Sequence, residues 1–314
     1  MEIQESTLDD LLNEVYRKLL QEGVEVEASK GKNIELNSVL LVLSNPLARL
    51  SRTETRSLLF SCLGELLWYL SGSNEVSFIE HYLPSYGELA SDDGVTVHGA
   101  YGPRLTNAKG CINQIYNIIE LLRTKPSSRR AVIQLFDASD LASYHKDIPC
   151  TCTLQFLIRN KKLNLITYMR SNDAYIGLPH DIFSFTMLQE IVARALNVDL
   201  GVYRHFVGSL HLYDEKINKA QQLLEEGYQS TLIQMPEMPM QDVWDSIYWL
   251  IKIEEQCRNG NDIRHEVRES HPYWSDLARL LLVYANKKSK PYIEAITKDI
   301  EHDVYQVYVR KFQK

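Results

Sequence analysis

The chain has 314 residues, 45% hydrophobic and 24% charged, with five cysteines and a net charge of −7. Those figures suit a globular protein with a sizeable core, and the acidic balance gives no electrostatic basis for binding nucleic acid. No apolar run is long enough for a bilayer, "MEIQESTLDD" lacks the plan of a secretory signal, and an odd, scattered set of cysteines points to reduced thiols, so a cytoplasmic location is expected.

In chain order, "STLDDLLNEVYRKLLQEG" predicts a helix capped by Ser6, with Leu8, Leu11, Leu12, Val15 and Leu19 on one face and Gly23 as its stop. "NIELNSVLLVLS" is β-prone. "TRSLLFSCLGELLWYLSG" reads as a buried helix ending at Gly72, and "CINQIYNIIELLRTKP" as an amphipathic helix closed by Pro126. "RRAVIQLFD" is strand-like. "TCTLQFLIRNKKLNLITYMRS" alternates as two strands joined by a polar hairpin at residues 160–162. A long apolar helix, "DIFSFTMLQEIVARALN", and a strand, "VYRHFVGSLHLY", follow. Strands and helices do not alternate as strict βαβ units, so the expected fold class is α+β with a mixed sheet flanked by helices. From Met235 the pattern turns helical, in "DVWDSIYWLIKIEEQCRNG" and "YWSDLARLLLVYANKK". This divides the chain into a catalytic domain over residues 1–234 and a helical extension over residues 235–314.

Several residue groups could carry chemistry. In "DIPCTCTLQF", Cys150 and Cys152 would share one face of a strand, a poor geometry for a disulfide and only half of a zinc site. Cys152 reads as a plain strand residue. Cys150 follows Pro149 at the loop-to-strand edge, where a thiol could face a cleft, and a nucleophilic use would need cations nearby. Arg129 and Arg130 in "SSRR", and Arg170 beside Ser171 in "YMRSND", are candidate phosphate ligands, although each could equally be solvated or paired with a carboxylate. His211 and Tyr213 in "HLY" put two polar-tipped rings on one strand face, fit for a sugar hydroxyl or for simple packing.

Taken together and in order, "GELLWYLSG", "AYG", "SSRRAVIQLFD", "PC", "RSND", "GLPHDIFSF" and "HLY" resemble the thymidylate synthase superfamily over residues 56–213, about half the chain. The resemblance implies that Cys150 is the nucleophile that adds to C6 of a pyrimidine nucleoside monophosphate. It implies 5,10-methylenetetrahydrofolate as co-substrate and no metal. Phosphate would be held by Arg170 and Ser171, and by Arg129 and Arg130 reaching across a homodimer interface. His211 and Tyr213 match the sugar pair. Glu65 matches the acid/base glutamate acting through water, and Tyr101 a tyrosine of the proton-transfer network. Asp173 matches the aspartate that orients the folate ring, and Gly177 a close approach to substrate.

The departures from that pattern narrow the substrate. Thymidylate synthases carry asparagine where Asp181 stands, and the superfamily's cytidylate hydroxymethylases carry aspartate. Cytosine offers an amino donor at N4 and an acceptor at N3, which a protonated carboxyl complements, or an ionised carboxylate could instead stabilise a cytosine ring protonated at N3. His180 beside it has no assigned role. "PSYGELASDDG" has Tyr86 and Leu89 where tryptophans are common, and no folate-closing tail is found in "VYVRKFQK", which suits a wetter site. "ASKGKNIEL" stands where an arginine-bearing phosphate loop is usual, so that either Lys30 or Lys32 supplies the cation or the loop is repurposed, and Ser209 replaces an aspartate. The expectation is therefore a C5 hydroxymethyltransferase acting on dCMP or CMP. Two alternatives remain: a thymidylate synthase methylating dUMP, and an inactive nucleotide-binding or regulatory homologue.

Overall fold

A computed structural model describes residues 1–28, 31–53, 58–240, 243–267 and 271–313. Lys30 and the first residues of the segment expected as the second helix lie outside the described residues.

Strand β1 (Glu2–Glu5) leads into helix α1 (Leu8–Glu22), whose five expected apolar residues are all buried. The cap is Thr7, not Ser6: its hydroxyl accepts from the Asp10 N–H at 3.1 Å, while Asp9 and Asp10 complement the helix dipole. Strands β2 (Val24–Ala28) and β3 (Gly31–Leu43) form an antiparallel pair. Helix α2 (Leu59–Leu70) is apolar nearly all round and accordingly buried, and Gly72 ends it at φ +73°. Three short helices follow, α3 (Val76–Ile79), α4 (Tyr86–Ala90) and α5 (Tyr101–Thr106), then α6 (Gln114–Thr124), capped by Asn113.

Strand β4 (Val132–Gln134) is shorter than "RRAVIQLFD" predicts, because it sits at the sheet edge and pairs on one side only. Strands β5 (Thr151–Arg159) and β6 (Lys162–Asp173) form the expected hairpin. Asn160 and Lys161 both take left-handed φ, 51° and 60°, the turn geometry whose twist matches the two strands. Helix α7 (Gly177–Ala195) is buried along almost its whole length, and β7 (Asp199–Tyr213) returns parallel to β6. Helices α8 (Ile217–Glu225), α9 (Val243–Arg258), α10 (Pro272–Ala285), α11 (Lys290–Thr297) and α12 (Gln306–Val309) complete the described chain.

The sheet order is β1-β3-β7-β6-β5-β4 with β2 also on β3, parallel at β1/β3 and β6/β7 and antiparallel elsewhere. It is the mixed α+β sheet that the sequence predicts. Helix α7 packs on β6 and β7, α2 packs on α7, and α9 and α10 pack against α2. Residues 235–314 share one continuous core with the sheet domain. Tyr82 Oη donates to Glu254 Oε1 at 2.9 Å and Tyr308 Oη to the Ser51 carbonyl at 2.7 Å. Fully buried Arg49 Nη2 meets Glu190 Oε2 at 2.6 Å, and Glu190 Oε1 accepts the Met238 N–H at 2.7 Å.

On the opposite sheet face no helix among the described residues covers the centre, which leaves side chains there exposed. Tyr168 and Phe206 are register partners there, 45% and 41% exposed, and Ile166 pairs with Arg204 one step along the same face. No helix among the described residues is long and apolar enough to cross a membrane.

Candidate active site

Cys150 precedes β5 and is partly buried. Its loop can lie close to the turn before α5 because Gly99 has no side chain: a Cβ there would come within 2.2 Å of Asp147 Oδ2. Arg170, near the end of β6, ties this loop down. Its Nε donates to the Pro149 carbonyl at 3.0 Å, and its Nη2 to the Ile148 carbonyl at 3.0 Å and to Cys150 Sγ at 3.6 Å. A guanidinium thus faces the thiol. Burial pushes the Cys152 thiol up despite Arg170.

Glu65 on α2 is 8% exposed; its Oε1 accepts from Tyr69 Oη at 2.7 Å, and its Oε2 is buried with no hydrogen-bond partner among the described residues. A buried carboxylate oxygen without a donor is expensive, and it marks where a water or substrate proton belongs. Tyr101 on α5 accepts from the Thr151 N–H at 3.1 Å and from its hydroxyl at 2.9 Å, and its ring lies against Tyr69 with centroids 5.0 Å apart. Burial, then the charges of Asp181 and Cys150, push the Tyr101 phenol well up. Tyr86, the residue at a common tryptophan position, packs edge-on against Trp68 at 5.8 Å and feels Asp147, Glu65, Cys150 and Asp181. Leu89 is 67% exposed.

Asp181 lies in the first turns of α7, 8% exposed. Burial, and then the charge of Glu65, push its carboxyl well above the usual range, against a bond from Asn172 Nδ2 to Oδ2 at 2.7 Å. Both causes favour the neutral form of this carboxyl. Gly177 fits tightly below it: a Cβ there would sit 3.1 Å from Asn172 Nδ2. His180 is buried and structural, with Nδ1 at 2.7 Å from the Ile176 carbonyl and Nε2 at 2.9 Å from Ser61 Oγ.

At the far side of the site, Asp173 accepts the Tyr175 and Ile176 N–H groups at 2.9 and 3.0 Å, shaping the turn into α7. His211 is its register partner on β7 and stands edge-on to Tyr213 at 5.0 Å. The Tyr213 phenol is pushed up by burial, then by Asp173 and Cys150. Ser171 pairs in register with Ser209, whose hydroxyl donates to the Glu35 carboxylate on β3. Thus a carboxylate stays near this point although the chain has serine at position 209.

Cys150, Glu65, Tyr101, Asp181, Arg170, Asp173 and Tyr213 therefore lie within electrostatic or hydrogen-bonding reach of one another. Arg129 and Arg130 do not join them within this chain. Both are exposed beside β4, and the Arg129 carbonyl accepts from Gln155, several residues along β5 from Cys150. Lys32 is exposed on the β2–β3 hairpin. A cleft of about 690 Å³, lined by His98, Arg104, Asp140 and His145 among others, includes neither Cys150 nor Asp181.

The sequence reading gave no part to Asn172, Tyr203 or His205. All three are buried, and Tyr203 and His205 occupy the core face of β7, where two polar groups two residues apart need each other. That pairing on an otherwise apolar face was the available signal.

The thymidylate synthase family model matches residues 14–258, which takes in every site residue above. A deoxyuridylate hydroxymethyltransferase of Bacillus phage SP01 is 33% identical over 217 residues, covering 65% of this chain and 56% of that protein. The chain thus spans about half the length of that curated relative. With the family match running over most of its residues, the chain belongs to the thymidylate synthase family.

Proposed function

We propose that this protein is a one-carbon transferase, a cytidylate C5 hydroxymethyltransferase that uses methylenetetrahydrofolate as co-substrate. Cys150 adds to C6 of the pyrimidine, forming the S–C6 bond and moving the C5–C6 π electrons onto C5, which makes C5 a nucleophile. The Arg170 guanidinium at Cys150 Sγ supports this, because a thiolate needs a cation beside it. Methylenetetrahydrofolate would supply the carbon, with the C5 proton lost, tetrahydrofolate leaving on its nitrogen and Cys150 expelled from C6 when water adds, and Asp173 and Gly177 are the residues that would hold it. Glu65, through its unpartnered Oε2, would orient the water whose oxygen remains in the product as the hydroxyl. Tyr101 would relay protons, His211 and Tyr213 would bind the sugar, and Arg170 and Ser171 the phosphate.

The observation that carries the cytosine reading is the buried carboxyl of Asp181, pushed well above the usual range and with Oδ2 marked as an acceptor by the bond from Asn172 Nδ2. Its carbonyl oxygen can accept from the N4 amino group while its O–H donates to N3. A second reading, action on deoxyuridylate, is favoured by the name of the phage relative.

Incubation with methylenetetrahydrofolate and CMP, dCMP, UMP or dUMP in turn, followed by mass spectrometry, separates these readings. A cytosine nucleotide gaining CH2O is expected. Turnover of uracil nucleotides alone would overturn the cytosine reading, and a gain of CH2 would indicate methylation. A 5-fluorocytidylate or 5-fluorouridylate with co-substrate should form a covalent adduct that Cys150→Ser abolishes; absence of an adduct with either base in the wild type would mean an inactive homologue.

We also propose a homodimer in which Arg129 and Arg130 complete the partner's phosphate site. The uncovered sheet face bearing Ile166, Tyr168 and Phe206 supports it, as does the separation of both arginines from their own Cys150. On this reading residues 1–234 hold the chemistry, and residues 235–314 buttress α2, which carries Glu65.

A further inference from the structure

A neutral carboxyl is not by itself selective between the two pyrimidines. Cytosine requires it to accept at position 4 and donate to N3, whereas uracil requires it to donate at position 4 and accept from N3–H. Moving the proton from one carboxyl oxygen to the other converts either pattern into its opposite. Discrimination therefore depends on whatever fixes the oxygen that carries the proton.

We propose that Asn172 is the positioning residue that makes Asp181 selective, by fixing Oδ2 as the acceptor oxygen and leaving the proton on Oδ1. The inference rests on the proposed function for the identity of the base-reading site. Asn172 Nδ2 donates to Asp181 Oδ2 at 2.7 Å, and a carbonyl oxygen takes such a bond far better than a hydroxyl oxygen.

The amide of Asn172 is itself oriented. Its Oδ1 lies 3.1 Å from His205 Nε2, and His205 Nδ1 lies 2.6 Å from Tyr203 Oη. His205 is wholly buried and lowered to about 3, so it is neutral and carries one ring N–H. Tyr203 donates to Nδ1, which puts the imidazole proton on Nε2. That proton goes to Asn172 Oδ1, which turns the amide N–H toward Asp181. Three hydrogen bonds thus point one way, from the phenol to the carboxyl.

Reversing the chain would send the Tyr203 proton toward the neighbouring Thr167 Oγ1, a buried hydroxyl that makes no hydrogen bond of ordinary geometry among the described residues. The forward direction wins because every buried donor in it has an acceptor. Asn172 has a further constraint at its amide: the missing Cβ of Gly177 leaves the space that Nδ2 occupies.

The test compares affinities for CMP, dCMP, UMP and dUMP by calorimetry in the wild type, Asn172→Ala and Tyr203→Phe. The wild type should prefer one base by about a hundredfold or more, and Asn172→Ala should reduce that ratio to within about tenfold by gaining affinity for the disfavoured base. Tyr203→Phe, which frees the imidazole tautomer, should move the ratio in the same direction by less. A structural role alone would weaken both bases together, and an unchanged ratio in Asn172→Ala overturns the proposal. If that variant fails to unfold cooperatively, Tyr203→Phe decides on the same criterion. A wild type that prefers uracil, with the ratio still collapsing in the variant, overturns the cytosine reading and leaves this inference standing. A wild type without preference, or without nucleotide binding, overturns this inference.

Discussion

The chain from Tyr203 to Asp181 needs a neutral imidazole in its middle, so acid should attack the fold at His205. Burial lowers this imidazole from 6.5 to about 3, so the unfolded chain takes up the proton first as pH falls. The associated stability is fully present above the unfolded value and is lost on acidification toward the folded one. One-site linkage across those two values gives a loss of about 2 kcal/mol between about pH 7 and about pH 5. Asp181 works in the opposite sense: its raised carboxyl costs stability as pH rises above the ordinary carboxylate value, so acidification relieves that cost. Urea unfolding of the wild type and His205→Gln at both pH values separates the two, because Asp181 titrates in both proteins. His205→Gln should start about 1 kcal/mol less stable at neutral pH, having lost a buried hydrogen bond. Its fall on acidification should be smaller than that of the wild type by about 2 kcal/mol. Equal falls in the two proteins would refute the neutral, buried imidazole and with it the direction of the chain.

Two further outcomes concern how the helices hold the site. Glu190→Gln leaves the fully buried Arg49 guanidinium without its countercharge, and should cost about 3–5 kcal/mol in urea unfolding; a loss below about 1 kcal/mol would mean that water reaches the pair. Tyr308→Phe removes the buried bond to the Ser51 carbonyl, and should lower stability by about 1–2 kcal/mol while leaving adduct formation at Cys150 intact, as read by a denaturant midpoint and mass spectrometry.

Much of the fold could be read from the sequence because its elements carry strong local patterns. Alternation across residues 151–173 with a polar break fixed the β5–β6 hairpin, and the single apolar face of α1 fixed that helix. The cap of α1 was misplaced by one residue because Ser6 and Thr7 have equivalent hydroxyls, and only the path of the preceding strand chooses between them. The sheet order was not legible. Nothing local in β1 says that it lies parallel to β3, nor in β7 that it lies between β3 and β6. At the site, Cys150, Glu65, Asp181 and Tyr101 could be proposed from family motifs, whereas Asn172, Tyr203 and His205 could not. Their part depends on a contact between two strands and a helix, and no spacing along the chain encodes which amide atom faces a carboxyl.

The same geometry ties base reading to proton transfer. The charge of Glu65 is the second cause, after burial, of the raised Asp181 carboxyl. Two carboxyls that close in a dry site cannot both ionise cheaply. On the proposed function the two divide the work, with Asp181 as a hydrogen-bonding reader and Glu65 left with an oxygen that has no partner among the described residues. The phenols of Tyr69, Tyr86 and Tyr101 around them are all pushed up, so they stay protonated and serve as donors or acceptors without adding charge. On the proposed function Glu65 would contribute to base recognition as well as to chemistry, because its charge is part of what raises the Asp181 carboxyl. Asn172 then acts on a carboxyl whose neutrality is supplied by its neighbours, and its own part is to settle which of the two oxygens bears the hydrogen.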